Sequence, residues 1–269
     1  MVIKQVIKNL FIVCFILCIS QSLYAENYFV LEKSPESTHK SPKLEFTKPE
    51  TIKAESEKLE GLSKSILKSA INAYRFALRQ HEVHNVHFLT VIDFDKPSYE
   101  KRLWVIDLNN DHVIMDIHVA QGRKSGKIYA THFSNALDSH ESSIGVFTTA
   151  GQPYYGAYGK SLHVKGLEAG INSNAFYRGI VIHSDTEVTP KFIDAMGYAG
   201  QTWGCFAVNP DHLNRLIQLL QGGSVIYVHA SPEMDDPNVN HEMSSEGQKL
   251  YDDIVKTNLN FFMRFFHGF

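Results

Sequence analysis

Residues 102–119, RLWVIDLNNDHVIMDIHV, decide the fold class of this chain. Two short apolar runs, Arg102–Leu108 and Val113–Val119, flank Asn109-Asn110-Asp111, and these turn residues tolerate the backbone angles of a hairpin. Apolar runs of this length that end at turn residues are typical of β-strands. The stretch therefore predicts a β-hairpin.

The same pattern predicts further strands on both sides of the hairpin. They are Phe88–Phe94, Ser143–Thr149, Ser161–Val164, Gly179–His183 and Ser224–His229. Only short helices interrupt them, at Pro190–Met196 and Pro210–Leu220, whereas a doubly wound parallel sheet alternates strands with helices of roughly 10 to 15 residues. We therefore expect a mainly β domain with short helices, built on a mixed, mostly antiparallel sheet.

Amphipathic helices are predicted on both sides of this domain. Apolar residues recur every three or four positions from Leu62 to Arg79. The C-terminal extension, residues 231–269, contains a second predicted helix at Glu246–Phe269. Its aromatic and apolar stripe comprises Tyr251, Val255, Leu259, Phe262 and Phe266, with Phe265 beside them. We expect this stripe to dock on the domain; contact with a membrane surface or a partner is the alternative.

Composition places the chain among globular proteins. Of its 269 residues 43% are apolar and 20% are charged, and 26 basic against 29 acidic residues give a net charge of -3. Without a long basic run, a nucleic-acid partner is not expected. The histidines of the segment 81–87 lack the spacing of a helical zinc site, so neither a metal nor a cofactor is expected.

The first 25 residues have the pattern of a signal peptide. Two lysines precede the apolar run Leu10–Ile19, and Ala25 offers the small residue at which a signal peptidase cleaves. As a helix the run would span only about 15 Å, too short for a bilayer. We expect export to the periplasm with residues 1–25 removed, an uncleaved anchor being the alternative. Residues 26–60, rich in Lys, Glu, Ser, Thr and Pro, are expected to form a flexible linker.

Export leaves one cysteine, Cys205, because the other two lie within the signal. A lone thiol in an oxidising compartment is either buried or used. Cys205 follows Gly204, and His183 lies at the end of an apolar run 22 residues earlier. An imidazole can take the proton of a nucleophilic thiol, and a glycine lets backbone N–H groups approach a developing oxyanion. From spacing alone, a core cysteine and a solvated histidine explain the residues equally well.

Four blocks of sequence resemble the YkuD-type L,D-transpeptidases, which cross-link murein. His183-Ser184 and residues 202–207, TWGCFA, are similar to the His-Gly/Ser and Ser-x-Gly-Cys motifs of that family. Residues 121–126, 129–135 and 142–147 resemble, in the same order, its murein L,D-transpeptidase catalytic domain branch. The resemblance covers roughly residues 88–229. It implies a YkuD-like β-sandwich catalytic domain, which with its N-terminal helix would occupy residues 61–230.

The resemblance also implies a mechanism. Cys205 would attack the peptide bond after the third residue of a murein stem, an L-centre diamino acid, and D-alanine would leave. His183 would be the general base, the Ser184 carbonyl would orient it, and the N–H groups of Gly204 and Cys205 would form the oxyanion hole. We expect the neighbouring imidazole to hold the pKa of the Cys205 thiol below its ordinary value.

The fate of the thioester stays open. Transfer to an amine, from another stem, an outer-membrane protein lysine or a free D-amino acid, is our first expectation. Hydrolysis by the same pair of residues, as in an L,D-carboxypeptidase or murein hydrolase, is the alternative. A catalytically silent murein-binding domain is a third interpretation, because a fold by itself does not establish an activity.

Two positions depart from the family pattern. Trp203 and Val208 stand where many members carry a histidine and a basic residue. The substrate carboxylate then needs another cation, and Arg123 is the first candidate because its fork geometry suits a carboxylate. The other candidates are Lys124, Lys127 and Arg178.

An aromatic segment precedes the histidine strand. Tyr154, Tyr155 and Tyr158 lie among glycines at residues 151–159, and this composition predicts a loop. Such a loop would form a lid over the donor stem, with Tyr154, Tyr158 and Trp203 binding substrate. Ordinary aromatic packing is the alternative.

Overall fold

The computed structural model describes residues 61–231, 236, 238–239 and 241–267, with side chains as far as residue 258. The predicted signal peptide, the predicted linker and the side chains of Phe262, Phe265 and Phe266 lie outside the described residues. In the part that is described, no helix is both long enough and apolar enough to cross a bilayer.

The domain begins with helix α1, Lys64–Arg79. The Ser63 hydroxyl caps it by accepting a hydrogen bond from the Ile66 N–H at 3.1 Å. The helix starts two residues after the predicted position and buries most of the predicted apolar face, including Ile66, Ala70, Ile71, Ala73, Tyr74 and Ala77.

Ten strands follow in the described chain. They are β1 Phe88–Asp93, β2 Leu103–Asp107, β3 His112–Ile117, β4 Gln121–Gly122, β5 Gly145–Gly156, β6 Gly159–Gly166, β7 Val181–Ser184, β8 Gln201–Thr202, β9 Phe206–Val208 and β10 Val225–His229. Eight form one sheet in the order β3-β2-β1-β10-β5-β6-β7-β9, and β4 pairs with β8. Within the large sheet only β1–β10 and β7–β9 are parallel. The predicted mixed, mostly antiparallel fold is confirmed.

The hairpin that decided the fold class is present. Strands β2 and β3 pair antiparallel, with Leu103 opposite Ile117 and Asp107 opposite His112. Asp111, in the connecting turn, has a φ of 55°, which few residues other than glycine, asparagine and aspartate adopt. The turn residues read from the sequence therefore have the geometry that was expected of them.

The segment predicted as an aromatic loop is a hairpin instead. Strand β5 continues to Gly156, so that Tyr154 and Tyr155 pair with Ser161 and Lys160 of β6. Only residues 157 and 158 form the turn between the two strands. Cross-strand hydrogen bonding gives order to a stretch whose glycines suggested a loop.

Three helices complete the described chain: α2 Pro190–Met196, α3 Pro210–Leu220 and α4 Ser245–His267. The first two match the predicted bounds, and each begins with a capping side chain before a proline. On α4, Leu250 and Ile254 are buried, and the buried Asn258 amide donates to the Asp111 carbonyl at 3.0 Å. The described part of α4 therefore packs on the domain through residues next to the predicted stripe, of which Tyr251 and Val255 are half-buried. Docking of the aromatic residues beyond residue 258 stays a prediction.

The carboxyl group of Glu168 is buried beside the start of β5. Glu168 is 2% exposed, and its Oε2 accepts a hydrogen bond from the Val146 N–H at 2.7 Å. Its Oε1 accepts one from the Asn238 amide at 3.0 Å. Burial and the neighbouring Asp236 raise the pKa of Glu168 to about 8. This carboxyl group is therefore protonated at neutral pH.

Candidate active site

Strands β7 and β9 bring the predicted catalytic pair together. They run parallel, with His183 opposite Ala207, and Cys205 precedes Ala207 by two residues. Because side chains alternate along a strand, His183 and Cys205 project toward the same side. Both line a cleft of about 110 Å³. The other lining residues are Tyr158, Asp185, Gln201, Thr202 and Trp203.

The imidazole of His183 is oriented as a base requires. Its Nδ1 lies 3.0 Å from the Ser184 carbonyl oxygen, which can only accept, so Nδ1 carries the proton and Nε2 is left as the acceptor. His183 is 3% exposed, and this burial lowers its pKa despite the opposing effects of Ser184 and Asp185. The ring is therefore neutral at neutral pH, and Ser184 makes the contact expected of it.

The Cys205 thiol does not have the lowered pKa that we expected from its neighbour. Cys205 is 6% exposed, and burial raises its pKa because a thiolate loses its hydration there. The Val181 N–H and the positive charge of Arg178 oppose this shift without reversing it. The sulfur lies 3.6 Å from the Gly179 carbonyl oxygen, to which the thiol donates. The resting pair is therefore a neutral thiol and a neutral imidazole.

The turn before the nucleophile differs from the expected oxyanion hole in one donor. The Gly204 N–H donates to the Thr202 hydroxyl at 3.0 Å, and that hydroxyl donates to the Cys205 carbonyl at 2.9 Å. This local ring of hydrogen bonds engages the Gly204 N–H. Of the two donors that the resemblance implied, we retain only the Cys205 N–H.

Gly204 is required at its position for two reasons. Its φ is +114°, a region that residues with a Cβ rarely adopt. A Cβ there would lie 2.7 Å from the Glu141 carbonyl oxygen and 2.9 Å from the Ile180 Cδ1. The loop that contains Glu141 therefore packs directly on the backbone of the residue before the nucleophile.

Tyr158 covers the base. It lies in the turn between β5 and β6, and its ring stacks on His183 with centroids 4.6 Å apart and planes 23° from parallel. Tyr154 stacks on His163 at 4.7 Å instead and does not line the cleft, although Cys205 contributes to the raised pKa of its hydroxyl. Tyr158 thus covers His183, whereas Tyr154 packs on His163 and does not line the cleft. Binding of substrate by either tyrosine stays a prediction.

Trp203 and Arg123 form the rim of the cleft together with a residue that the sequence did not reveal. The exposed Trp203 ring stacks on His140 at 4.5 Å, and the Arg123 guanidinium lies 5.3 Å from the Trp203 centroid. The Arg123 Nη2 donates to the His140 Nδ1 at 2.8 Å. No motif marks His140, because the partners of its side chain, Arg123 and Trp203, lie 17 and 63 positions away in the sequence. Arg123 is exposed at this rim.

Arg178 is not available to a substrate carboxylate in the way that Arg123 is. It is half-buried, and its Nη1 donates to the Ser134 carbonyl and the Ser143 hydroxyl. Its Nη2 donates to the Ser139 hydroxyl at 2.9 Å and the Glu141 carbonyl at 2.6 Å. Both terminal nitrogens of the guanidinium are therefore hydrogen-bonded to the loop 134–143.

Potential metal ligands lie elsewhere. Within the described ranges one group of three side chains could hold a cation: Asp93, Asp95 and His229, near the carboxyl ends of β1 and β10. The His229 Nε2 lies 3.2 Å from the Asp95 carboxylate, which also accepts hydrogen bonds from the backbone N–H and the hydroxyl of Ser231. These contacts satisfy the Asp95 carboxylate without a cation.

Residues 58–229 match the family model of the L,D-transpeptidase catalytic domain. Similar solved structures include an L,D-transpeptidase from Mycobacterium smegmatis, which is 18% identical with a TM-score of 0.33 over 54% of this chain and 59% of that one. Another is the L,D-transpeptidase LdtMt1 in complex with imipenem, at 16% identity and a TM-score of 0.32 over 53% and 59%. A third is L,D-transpeptidase 1 of Mycobacterium tuberculosis, at 13% identity and a TM-score of 0.28 over 54% and 62%. The chain thus spans less than two thirds of each structure. No curated protein matches it.

Proposed function

The chain belongs to the L,D-transpeptidase catalytic domain family, and we propose that it is an exported cysteine acyltransferase that acts on murein stem peptides in the periplasm. The observation that carries this proposal is the cleft that His183 and Cys205 both line. The Ser184 carbonyl fixes the imidazole so that its free nitrogen can accept a proton.

The reaction begins at the thiol. Cys205 Sγ attacks the carbonyl carbon of the third stem residue while His183 Nε2 takes the thiol proton, and the Cys205 N–H stabilises the oxyanion. The tetrahedral intermediate collapses, the C–N bond breaks, and His183 gives its proton to the nitrogen of the departing D-alanine. A thioester on Cys205 remains.

The second half of the reaction transfers the acyl group to an amine. His183 removes a proton from the attacking amine, a new amide bond forms, and the C–S bond breaks. The proton held by His183 then returns to the departing thiolate. The acceptor in this proposal is another murein stem, with an outer-membrane protein lysine or a free D-amino acid as alternatives.

The neutral resting pair determines the order of events. Burial raises the pKa of Cys205 and lowers that of His183, so the thiolate–imidazolium pair is unfavourable before substrate binds. Proton transfer therefore accompanies attack on the carbonyl. This arrangement also protects a lone thiol in an oxidising compartment, because the thiolate is the form that oxidises.

Aromatic side chains around the cleft favour transfer over hydrolysis. A thioester reacts with water as well as with amines, so the product depends on which nucleophile reaches the acyl carbon. Tyr158 covers His183, and Trp203 lines the same cleft. These rings would exclude water while an acceptor occupies the site. Arg123, above Trp203, is positioned to bind a stem carboxylate.

The test is mass spectrometry of murein tetrapeptides incubated with the purified protein. We expect D-alanine together with dimers linked between two third-position residues, and neither product from Cys205→Ala or His183→Ala. The exposed His84 lies outside the cleft, so His84→Ala is the matched control and keeps the wild-type yield. Tripeptide and D-alanine without dimers, even at high acceptor concentration, would instead identify a hydrolase. Stem binding without any product would identify a silent murein-binding domain.

A further inference from the structure

A positive charge lies beside the nucleophile without a bound carboxylate. Arg178 precedes β7, and all four of the hydrogen bonds described above go to neutral oxygens of the loop 134–143. Arg178 takes part in none of the ion pairs found among the described residues. Its hydrogen-bonding capacity is thus largely used. The Glu141 carboxylate attracts it electrostatically without forming one of these ion pairs.

This charge is close to the reacting sulfur. A Cβ added to Gly204 would lie 3.1 Å from the Arg178 Nη2, so the guanidinium rests against the backbone of the residue before Cys205. Burial raises the pKa of the Cys205 thiol, and the Arg178 charge opposes that rise. Burial likewise lowers the pKa of Arg178, and the negative charges of the Cys205 thiolate and Glu141 oppose that fall. Burial and the Val181 N–H also act on the pKa of Cys205, but Arg178 is the charged side chain that does so.

The reaction needs a positive charge near Cys205, because the other groups that could stabilise an anion there are neutral or already hydrogen-bonded. The thiolate forms as the leaving group when the thioester is resolved, and an oxyanion forms in both halves of the reaction. His183 is neutral at rest, and the Gly204 N–H is engaged by Thr202. A guanidinium in a partly desolvated place acts more strongly on a nearby anion than a solvated one does.

The same residue holds the loop 134–143 against the turn that carries Cys205. The Glu141 carbonyl accepts from Arg178 and also lies 2.7 Å from the position of a Gly204 Cβ. Asn135, in the same loop, accepts a hydrogen bond from the Asn174 N–H at 2.8 Å. The loop, the arginine and the nucleophile turn therefore form one packed unit.

We propose that Arg178 is a positioning residue of the nucleophile, which stabilises the anionic forms of Cys205 by its charge and does not bind a substrate carboxylate. The proposal rests on the proposed function only for the role of Cys205 in transfer. The charge and its effect on the thiol are properties of the protein without murein.

The test is the pH dependence of Cys205 alkylation by iodoacetamide in the purified protein. Arg178→Gln removes the charge while keeping an amide donor for the loop, and Arg178→Lys keeps the charge without the fork. We expect Arg178→Gln to move the alkylation midpoint upward by about one unit, the lower end of the range for a nearby opposite charge. Arg178→Lys should stay near the wild-type midpoint. Arg215→Met, which removes an exposed arginine of α3, is the control and leaves the midpoint unchanged.

Each outcome decides the matter. An unchanged midpoint in a folded Arg178→Gln protein overturns the proposal and leaves Arg178 a purely structural role. If Arg178→Gln does not fold, Arg178→Met is the second neutral variant. An upward shift of its midpoint supports the proposal, and an unchanged midpoint in a protein with a native melting curve overturns it. Because iodoacetamide needs no murein, a wild-type protein that forms no dimers would refute the proposed function without affecting this result.

Discussion

Replacement of Gly204 by alanine tests the geometry of the nucleophile turn most directly. The φ of +114° strains any residue that has a Cβ, at a cost of about 1 to 3 kcal/mol. The new methyl group would also lie 2.7 Å from the Glu141 carbonyl oxygen and 2.9 Å from the Ile180 side chain. Relief of such overpacking costs about 1 to 3 kcal/mol more. We therefore expect Gly204→Ala to lower the free energy of unfolding by about 2 to 6 kcal/mol.

Gly197 offers a matched control for the steric part of this cost. It ends α2 with a φ of 76°, and a Cβ there would meet no atom within 4 Å. Gly197→Ala should therefore cost only the left-handed backbone penalty of about 1 to 2 kcal/mol. The difference between the two variants isolates the contacts of Gly204 with the Glu141 loop.

Urea denaturation of the two variants measures both free energies, and dimer formation from murein tetrapeptides reports the site. Gly204→Ala should abolish the dimers, because relief of the clash moves Cys205 away from His183. Gly197→Ala should retain them. Equal losses of stability in the two proteins, or full activity in Gly204→Ala, would show that the nucleophile turn does not have the close contacts described here.

Three further predictions concern other parts of the domain. Tyr158→Ala should expose His183, raise the pKa of its imidazole toward the ordinary value and increase the ratio of hydrolysis to transfer. An NMR titration of the imidazole and the ratio of tripeptide to dimer measure these effects. An unchanged titration would show that Tyr158 does not shield His183. Folded Glu168 keeps its proton up to about pH 8 whereas a free glutamate releases it near pH 4.3, so stability should fall as pH rises through that interval. Glu168→Gln should remove this loss of stability. If the melting temperatures of the wild type and of Glu168→Gln change equally between pH 5 and pH 8, the prediction is wrong. Asn258→Ala should lower the free energy of unfolding by about 1 to 3 kcal/mol, because the Asp111 carbonyl loses a buried hydrogen-bond donor. A melting temperature equal to that of the wild type would argue against docking of α4.

Local sequence patterns determined much of the secondary structure. Turn residues between two apolar runs predicted the β2–β3 hairpin, and a capping residue before proline located α2 and α3. These features depend on contacts between near neighbours in the chain, which a single sequence displays. The short strands β4, β8 and β9 were missed because two or three residues carry no measurable period.

The sequence by itself also determined which residue types the candidate site contains, since His183, Gly204 and Cys205 stand in a recognisable order. Tertiary structure decided how they behave. The pKa of Cys205 is raised because strands and loops distant in sequence remove water from the sulfur, and that desolvation outweighs the Arg178 charge. The stack of Trp203 on His140 likewise joins residues 63 positions apart. Burial and non-local contact are properties of the folded chain, so no spacing of residues along the sequence could have fixed them.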